Sequence, residues 1–447
     1  MEKKQKETAG PLKVVEGLAE ALLFVRTLEA RMPGEDLAVG AAVRSILASV
    51  REGGRSALLA AREKYEGVPP SVPLTFSSDD GELAARAATA PASVVEALAL
   101  SVERVRRYHD IQKEQTRTLT EQASFFASRV QPLDAVALYV PGGKAFYPSS
   151  VIMSAVPAQV AGVERLVVFT PARSLENPVF AATIKLLGVK EVHAVGGAQA
   201  VAAAAYGVEG IARVDKIVGP GNIYVATAKQ QLAGRVGTDG FAGPSEILVL
   251  GDGSSPARWV AADMLAQAEH DEEASAVLVT TSLKEAHDVA AEVDSLLPRL
   301  GAREGIARAS LARYGAVLVV SSREELVEVA NAIASEHLHV HTACALTEEG
   351  HAFWMRRLKG VGAIFLGRHT AESFGDYLAG PSHVLPTAGT ARFASALGVY
   401  DFVRRSSVLS MSASMARALA APTESFALAE ELPAHALAAR LRGGHEP

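Results

Sequence analysis

The sequence predicts an α/β protein with two Rossmann-like parallel-sheet domains, a helical N-terminal segment and a small helical C-terminal tail. Three observations carry this prediction. From Leu133 onward, short apolar runs alternate with helical stretches and end in glycine-rich turns. That repeat of strand, glycine turn and helix is the pattern of a parallel sheet whose ligands bind at the carboxyl ends of the strands. A second block of candidate strands, separated by helices, begins at Glu246. Finally, the chain has 447 residues, and a single core stops growing beyond roughly 250 to 300 residues, so at least two domains are expected.

The composition, 49% hydrophobic and 21% charged, is that of an ordinary globular protein. A formal net charge of -6 argues against a nucleic-acid binder, which would carry a basic face. The single cysteine, Cys344, excludes an internal disulfide and a cysteine-cluster metal site, and it fits a reducing compartment. No apolar run approaches the roughly 20 residues of a membrane span. The N-terminus, Met1 to Glu7, is charged and precedes an amphipathic stretch, unlike a signal peptide. A cytoplasmic protein is expected.

The first 130 residues read as helices. Val14, Val15, Leu18, Leu22, Val25 and Leu28 form one apolar stripe, Val43, Ile46, Leu47 and Val50 another, and Pro91 to Gln115 a third helix. The next block offers strands at Ala137–Val140, Leu166–Thr170, Val192–Val195 and Lys216–Val218, running into the turns Pro141–Gly143, Pro171–Arg173, Gly196–Gln199 and Gly219–Asn222. Glycines in such turns let the backbone approach a pyrophosphate, and a helix N-terminus favours its charge. They serve equally as tight turns with no ligand, and none is a complete G-x-G-x-x-G fingerprint. The second block offers strands at Glu246–Leu250, Ala276–Thr280, Ala316–Val320, His337–His341 and Ala363–Leu366, with capping boxes at Ser282-x-x-Glu285 and Ser322-x-x-Glu325. From about Arg392 the chain returns to short helices with no strand block behind them. A tail this short cannot bury a core of its own and must dock on something.

The polar residues with chemical potential are scattered. Gln267 and His270 close an amphipathic helix three residues apart, so they project from one face. An amide oxygen and an imidazole placed this way can share a metal ion, or simply form a solvated helix end. They make only half a site, since zinc commonly takes four ligands. Glu336 and His337 open a strand, where both can turn toward one pocket: an imidazole suits a general base, and a buried carboxyl can join it. His337, His339 and His341 alternate on one face, as the solvent side of a half-buried strand or as a tri-histidine zinc site. Asp376 and His383 lie in the glycine- and proline-punctuated stretch Gly375–Thr387, where Asp is also a common turn former. Glu430 and His435 read as helix-terminal polarity. Cys344 reads as a buried small hydrophobe.

Taken together, the segments Tyr139–Gly143, Gly196–Gln199, Gly219–Asn222, Gly243–Glu246, Gln267–His270, Glu336–Leu338, Gly375–Tyr377, His383–Thr387 and Glu430-x4-His435 resemble the histidinol dehydrogenase family over about residues 35 to 440. The resemblance implies a zinc ion, one per subunit, held by Gln267, His270, Asp376 and His435, with Glu336 and His337 as the acid–base pair. It further implies that Ser245, His383 and Glu430 contact the substrate, as do His337 and the four metal ligands, and that Tyr139, Gln199 and Asn222 contact NAD. The implied layout is an N-terminal extension (1–34), a discontinuous catalytic domain (35–130 plus 240–390), an NAD-binding domain (131–239) and a tail (391–447) swapped across a homodimer to complete the partner's site. The implied reaction is oxidation of L-histidinol to L-histidine through L-histidinal. It removes four electrons and uses two NAD in turn, with His337 taking the hydroxyl proton and Glu336 activating water. The chain departs from the family pattern at His339 and Ser382. A related zinc and NAD dehydrogenase for another small polar alcohol is the alternative. A zinc hydrolase would leave the glycine turns without a role.

Overall fold

The computed structural model describes residues 12–31, 37–142, 147–240 and 243–444. The charged start Met1 to Glu7, Pro33 and Gly143 of the first glycine turn lie outside these. The described strands are β1 (Lys13–Glu16), β2 (Thr75–Phe76), β3 (Arg117–Glu121), β4 (Ser124–Pro132), β5 (Ala135–Tyr139), β6 (Arg165–Thr170), β7 (Glu191–Ala194), β8 (Lys216–Val218), β9 (Gly237–Thr238), β10 (Glu246–Gly251), β11 (Ser275–Thr280), β12 (Gly315–Val319), β13 (His337–His341), β14 (Ala363–Leu366) and β15 (Val403–Ser410). One sheet runs β2-β7-β6-β5-β8-β9 and a second β1-β12-β11-β10-β13-β14. Every pair in both is parallel except β2 with β7.

Helices cover both faces of each sheet, which is why the central strands are near-continuous apolar runs. On β5, Val136 and Leu138 face helices Pro148–Ala161 and Pro178–Leu187, while Ala137 and Tyr139 face helix Gly197–Tyr206 and the helical segment Leu37–Glu66, which breaks at Gly54. On β10, Leu248 and Leu250 pack with helices Leu18–Glu29 and Arg323–Ile333, and Ile247 and Val249 with helices Ala257–Ala268 and Leu283–Leu296. Ser282 and Ser322 cap the helices that follow them, each accepting from the backbone N–H three residues on. Among the described residues no single helix is long and apolar enough to cross a membrane.

The all-helical reading of the first 130 residues needs correction. Val14 and Val15 belong to β1, an edge strand parallel to β12, and Gly17 at φ 103° separates it from the helix that buries Ala21, Val25 and Leu28. β3 and β4 form a hairpin, turned by Gln122 (φ 47°) and Ala123 (φ 58°). Left-handed turns of this kind usually announce themselves with Asn-Gly, and here that signal is missing. The tail also contains a strand. β15 adds antiparallel to β4, making a third sheet, β15-β4-β3, whose strands are largely exposed and so lack an apolar alternation. Helices Ala413–Ala429 and Pro433–Arg442 follow it and pack on each other.

Arg62, fully buried, ties the long N-terminal helical segment to the first sheet. Its guanidinium donates to the carbonyls of Pro69 (3.1 Å), Val72 (2.7 Å), Pro73 (3.2 Å) and Ala194 (3.3 Å). Arg62→Met keeps much of the volume but strips four acceptors of their donor. It should cost about 3 kcal/mol or more, read as a lowered urea midpoint. An unchanged midpoint would show that water replaces the guanidinium.

Candidate active site

β10 and β13 are parallel neighbours with Ile247 opposite His337, so the residues just ahead of that pair, Glu246 and Glu336, stand side by side. Each reaches the other's backbone. Glu246 N–H donates to Glu336 Oε2 at 2.9 Å, and Glu336 N–H donates to Glu246 Oε2 at 3.3 Å. Arg31, beyond the end of helix Leu18–Glu29, pairs with the other oxygen of Glu246 and also donates to the Glu273 carbonyl at 2.8 Å. The clasp leaves Glu336 buried, and burial pushes its carboxyl up to about 7. A carboxyl in that range can both give and take a proton near neutral pH.

His337 is buried beside it. Nδ1 lies 3.8 Å from Glu336 Oε2, 3.9 Å from Glu372 Oε1 and 3.3 Å from the Glu246 carbonyl, while Nε2 lies 3.7 Å from Asp376 Oδ1. Burial alone would lower the imidazole; Glu372, Glu336 and Asp376 outweigh it and raise the pKa to about 10. Burial lifts Glu372 to about 8. Burial would lift Asp376 too, but His337, His383 and His270 hold it below the usual carboxylate range. Glu372 and Asp376 share one face of the short helix Glu372–Tyr377, at i and i+4. Asp376 therefore sits in a helix rather than a loop. Gly375 lets that helix press on β14, since a Cβ there would lie 2.5 Å from the Phe365 ring.

The second cluster of donors opens from the same place. Gln267 ends helix Ala257–Ala268, and His270 follows, its N–H bonded to the Gln267 carbonyl at 3.1 Å. Gln267 Oε1 is buried without a hydrogen-bond partner, an acceptor costly to leave unmet. One donor atom each from His270, Glu372 and Asp376 lies within 4.8 Å of the others. His270 is open to solvent on its outer side, yet desolvation still pushes its pKa down, favouring the neutral form that binds metals. An imidazole and two carboxylates, with an orphaned amide oxygen three residues before the imidazole, make a donor set that fits a divalent cation. Ser245, half-buried, lies just before β10, and burial pushes His383 down beside Asp376. Glu430 and His435 are exposed on the tail helices, and among the described residues neither bonds or pairs with this cluster.

The strand's other histidines are not on a solvent face, nor do they form a trio with His337. His339 and His341 are buried and turn instead to Asp263. Cys344 is half-buried rather than buried.

At the carboxyl ends of the first sheet, Gly219 (φ 110°) passes so close to β5 that a Cβ would lie 2.1 Å from the Tyr139 carbonyl. Tyr139 Oη accepts from Gly197 N–H at 3.0 Å. Asn222 caps helix Ile223–Gln231, accepting from Tyr224 N–H at 3.1 Å and Val225 N–H at 3.2 Å. Glu66 accepts from Gly196 N–H at 3.0 Å and from Gln199 Nε2 at 3.1 Å. A carboxylate of the chain's own thus occupies the start of the helix that carries Gln199. Glu66, Glu246, Glu372, Asp263 and Arg31 all escaped sequence reasoning. Only the i, i+4 spacing of Glu372 and Asp376 could have signalled one of them.

Fold and site define an α/β enzyme equipped for proton transfer, with a donor set that fits a divalent cation. The histidinol dehydrogenase family profile matches residues 30–443. A curated histidinol dehydrogenase from Bordetella parapertussis is 42% identical over 439 residues, covering 95% of this chain and 98% of its own. One from Pseudomonas fluorescens is 46% identical over 411 residues, covering 91% of each. The crystal structure of histidinol dehydrogenase from Elizabethkingia anophelis superposes with a TM-score of 0.88 at 29% identity, covering 98% of this chain and 99% of that one. The chain belongs to the histidinol dehydrogenase family and is an oxidoreductase.

The carboxyls crowded around His337 should mark the stability of the metal-free protein. A carboxyl raised from its usual value to about 8 in the fold, as Glu372 is, stabilises below its unfolded pKa and loses that contribution as pH climbs to 8 and beyond. Glu372→Gln removes the titration. Relative to wild type, the variant should therefore gain stability as pH rises from 5 to 9, measured by thermal melts in chelator. A constant difference would mean Glu372 is ionised throughout.

Proposed function

We propose that the protein oxidises L-histidinol to L-histidine through L-histidinal in two NAD-linked steps, with one zinc ion per site, closing histidine biosynthesis. The observation that carries this reading is His337, buried among Glu336, Glu372 and Asp376, with Asp376 in turn gathered with His270 and Glu372 into a group that could hold a metal ion. Gln267, His270 and Asp376 would hold the metal together with His435 from a second copy of the chain. When bound, the cation would neutralise Asp376 and orient the amine and imidazole of the substrate, and NAD, near Tyr139, Gln199 and Asn222, would take hydride.

The chain's residues do the rest. Once Asp376 is engaged, His337 loses one of the three charges that keep it protonated, and it can accept the hydroxyl proton. Glu336, lifted toward neutrality by burial, takes a proton from water as the oxygen attacks the aldehyde carbon. His337 gives its proton to the former carbonyl oxygen as the hydrate forms, and so is free to remove a proton from the hydrate for the second oxidation. Ser245, His383 and Glu430 contact the substrate in this reading. Among the described residues the half-buried thiol of Cys344 meets Thr342 and Arg323 rather than a histidine or carboxylate, which agrees with a route that forms no thioester, and a cytoplasmic setting agrees with a lone cysteine.

The tail supports a homodimer in this reading. Its Glu430 and His435 are exposed in one copy, while Leu119, Leu409, Phe426 and Leu437 offer apolar surface on the same arm. A groove of about 380 Å³ runs between β3, β4 and β15. Such a surface is suited to a second copy.

NADH should appear when the protein meets L-histidinol and NAD. Prolonged chelation should abolish it while circular dichroism stays near native, and zinc should restore it. Full activity in a metal-free preparation would sink the metal's assigned role. For the arm, His337→Ala and His435→Ala chains, each inactive alone, should recover about a quarter of wild-type activity after random subunit exchange. Half the dimers are then mixed, with one intact site of two, as in a symmetric dimer. No recovery despite verified exchange would place His435 in its own chain's site.

A further inference from the structure

His339 and His341 leave β13 on the face toward helix Ala257–Ala268, one step apart in the strand's two-residue repeat, and both are buried. Asp263, one turn before Gln267 on that helix, meets both with a single oxygen. Its Oδ2 lies 3.3 Å from His339 Nδ1 and 3.2 Å from His341 Nε2. The rings are stacked within 6° of parallel, with centroids 6.0 Å apart. One donor atom from each of the three residues lies within 4.8 Å of the others.

Three features set this group apart from an ordinary hydrogen-bonded carboxylate. Charge is the first. Burial would lift Asp263, but the two imidazoles hold it below the usual range, and burial keeps His339 low. Among the described residues no Lys or Arg pairs with Asp263, and a buried negative charge without a cation is costly. Distance is the second. A charge-assisted N–H···O contact closes to about 2.7–2.9 Å, whereas donors around zinc at roughly 2.0–2.2 Å in a tetrahedron stand about 3.3–3.5 Å apart. The observed separations are nearer the latter. Third, among the described residues His339 Nε2 and His341 Nδ1 are buried with no hydrogen-bond partner, so the polar contacts of the two rings lie on their Asp263 side.

We propose that Asp263, His339 and His341 form a second divalent-cation site that takes zinc or a similar late transition ion. Two imidazoles and one carboxylate are a set such ions accept, with water in the fourth position. The site is distinct from the one offered by Gln267, His270 and Asp376. Phe365 packs against both His339, at 4.5 Å between centroids, and His337, at 5.9 Å, placing apolar surface beside both groups. Its role is structural: it pins β13, which starts at His337, to the helix that carries Gln267 in its last turn.

Metal content separates this site from the first. Wild-type protein equilibrated with zinc and desalted should carry two ions per chain by mass spectrometry. The double variant His270→Ala/Asp376→Asn should keep one, and X-ray absorption at the zinc edge should show two imidazoles around it. His339→Leu/His341→Leu should also carry one ion, with melting no longer raised by excess zinc in the His270→Ala/Asp376→Asn background. One ion in wild type and none in His270→Ala/Asp376→Asn would overturn the proposal, even if the leucine variants fail to fold. The same result would leave the first site standing.

Discussion

Three carboxylates turned toward one buried imidazole set the terms for the whole catalytic region. At a separation of about 4 Å and an effective dielectric near 20, each pair of unit charges is worth about 4 kcal/mol. Glu336, Glu372 and Asp376 therefore cannot all be ionised in isolation, and the protein supplies what compensation it can. His337 stays protonated, Arg31 neutralises Glu246 behind the clasp, and Glu336 and Glu372 retain protons to unusually high pH. Backbone geometry holds the groups together against this repulsion. Strand pairing aligns Glu246 with Glu336, and Gly362, whose Cβ would lie 2.6 Å from the Glu336 carbonyl, lets β14 close against them. What remains is a site with an appetite for a cation and a proton acceptor released when one arrives.

The two sheets offer their ends differently. In the first sheet, the helix starts after β7 and β8 turn their N–H groups to Tyr139, Glu66 and Asn222. In the second, Ser282 and Ser322 cap the helices after β11 and β12, and the chemistry gathers instead at the amino ends of β10 and β13. The internal likeness of the two blocks thus stops at architecture.

The doubly covered strands were legible because burial on both faces writes a continuous apolar run: Glu246–Leu250 falls within β10, and Ala276–Thr280 within β11. β1, β3, β4 and β15 were not, because each lacks that imprint. β1 is four residues of an edge strand, and the third sheet shows exposed faces to either side. In the site, motifs pointed to Glu336, His337, His270 and Asp376, which the fold brings together. Residues that act through distant contacts left no local trace. Arg31 and Glu246 stand 215 positions apart, and Asp263 meets His339 across 76. His341 and His339 looked like a wet strand face because alternation says which residues share a side, not what covers it.

β1 also bears on how this chain can be trimmed. It lies ahead of residue 30, where the family match begins, so by alignment alone it looks dispensable. Yet among the described residues it is the only neighbour of β12 on that side, pairing Lys13 to Glu16 with Ala316 to Val319. Without it β12, apolar and covered on both faces, would present a bare row of N–H and C=O groups. Such an edge invites edge-to-edge association and aggregation. The outermost strand, with Lys13 and Glu16 exposed at its two ends, works as a guard rail for the sheet that carries the chemistry.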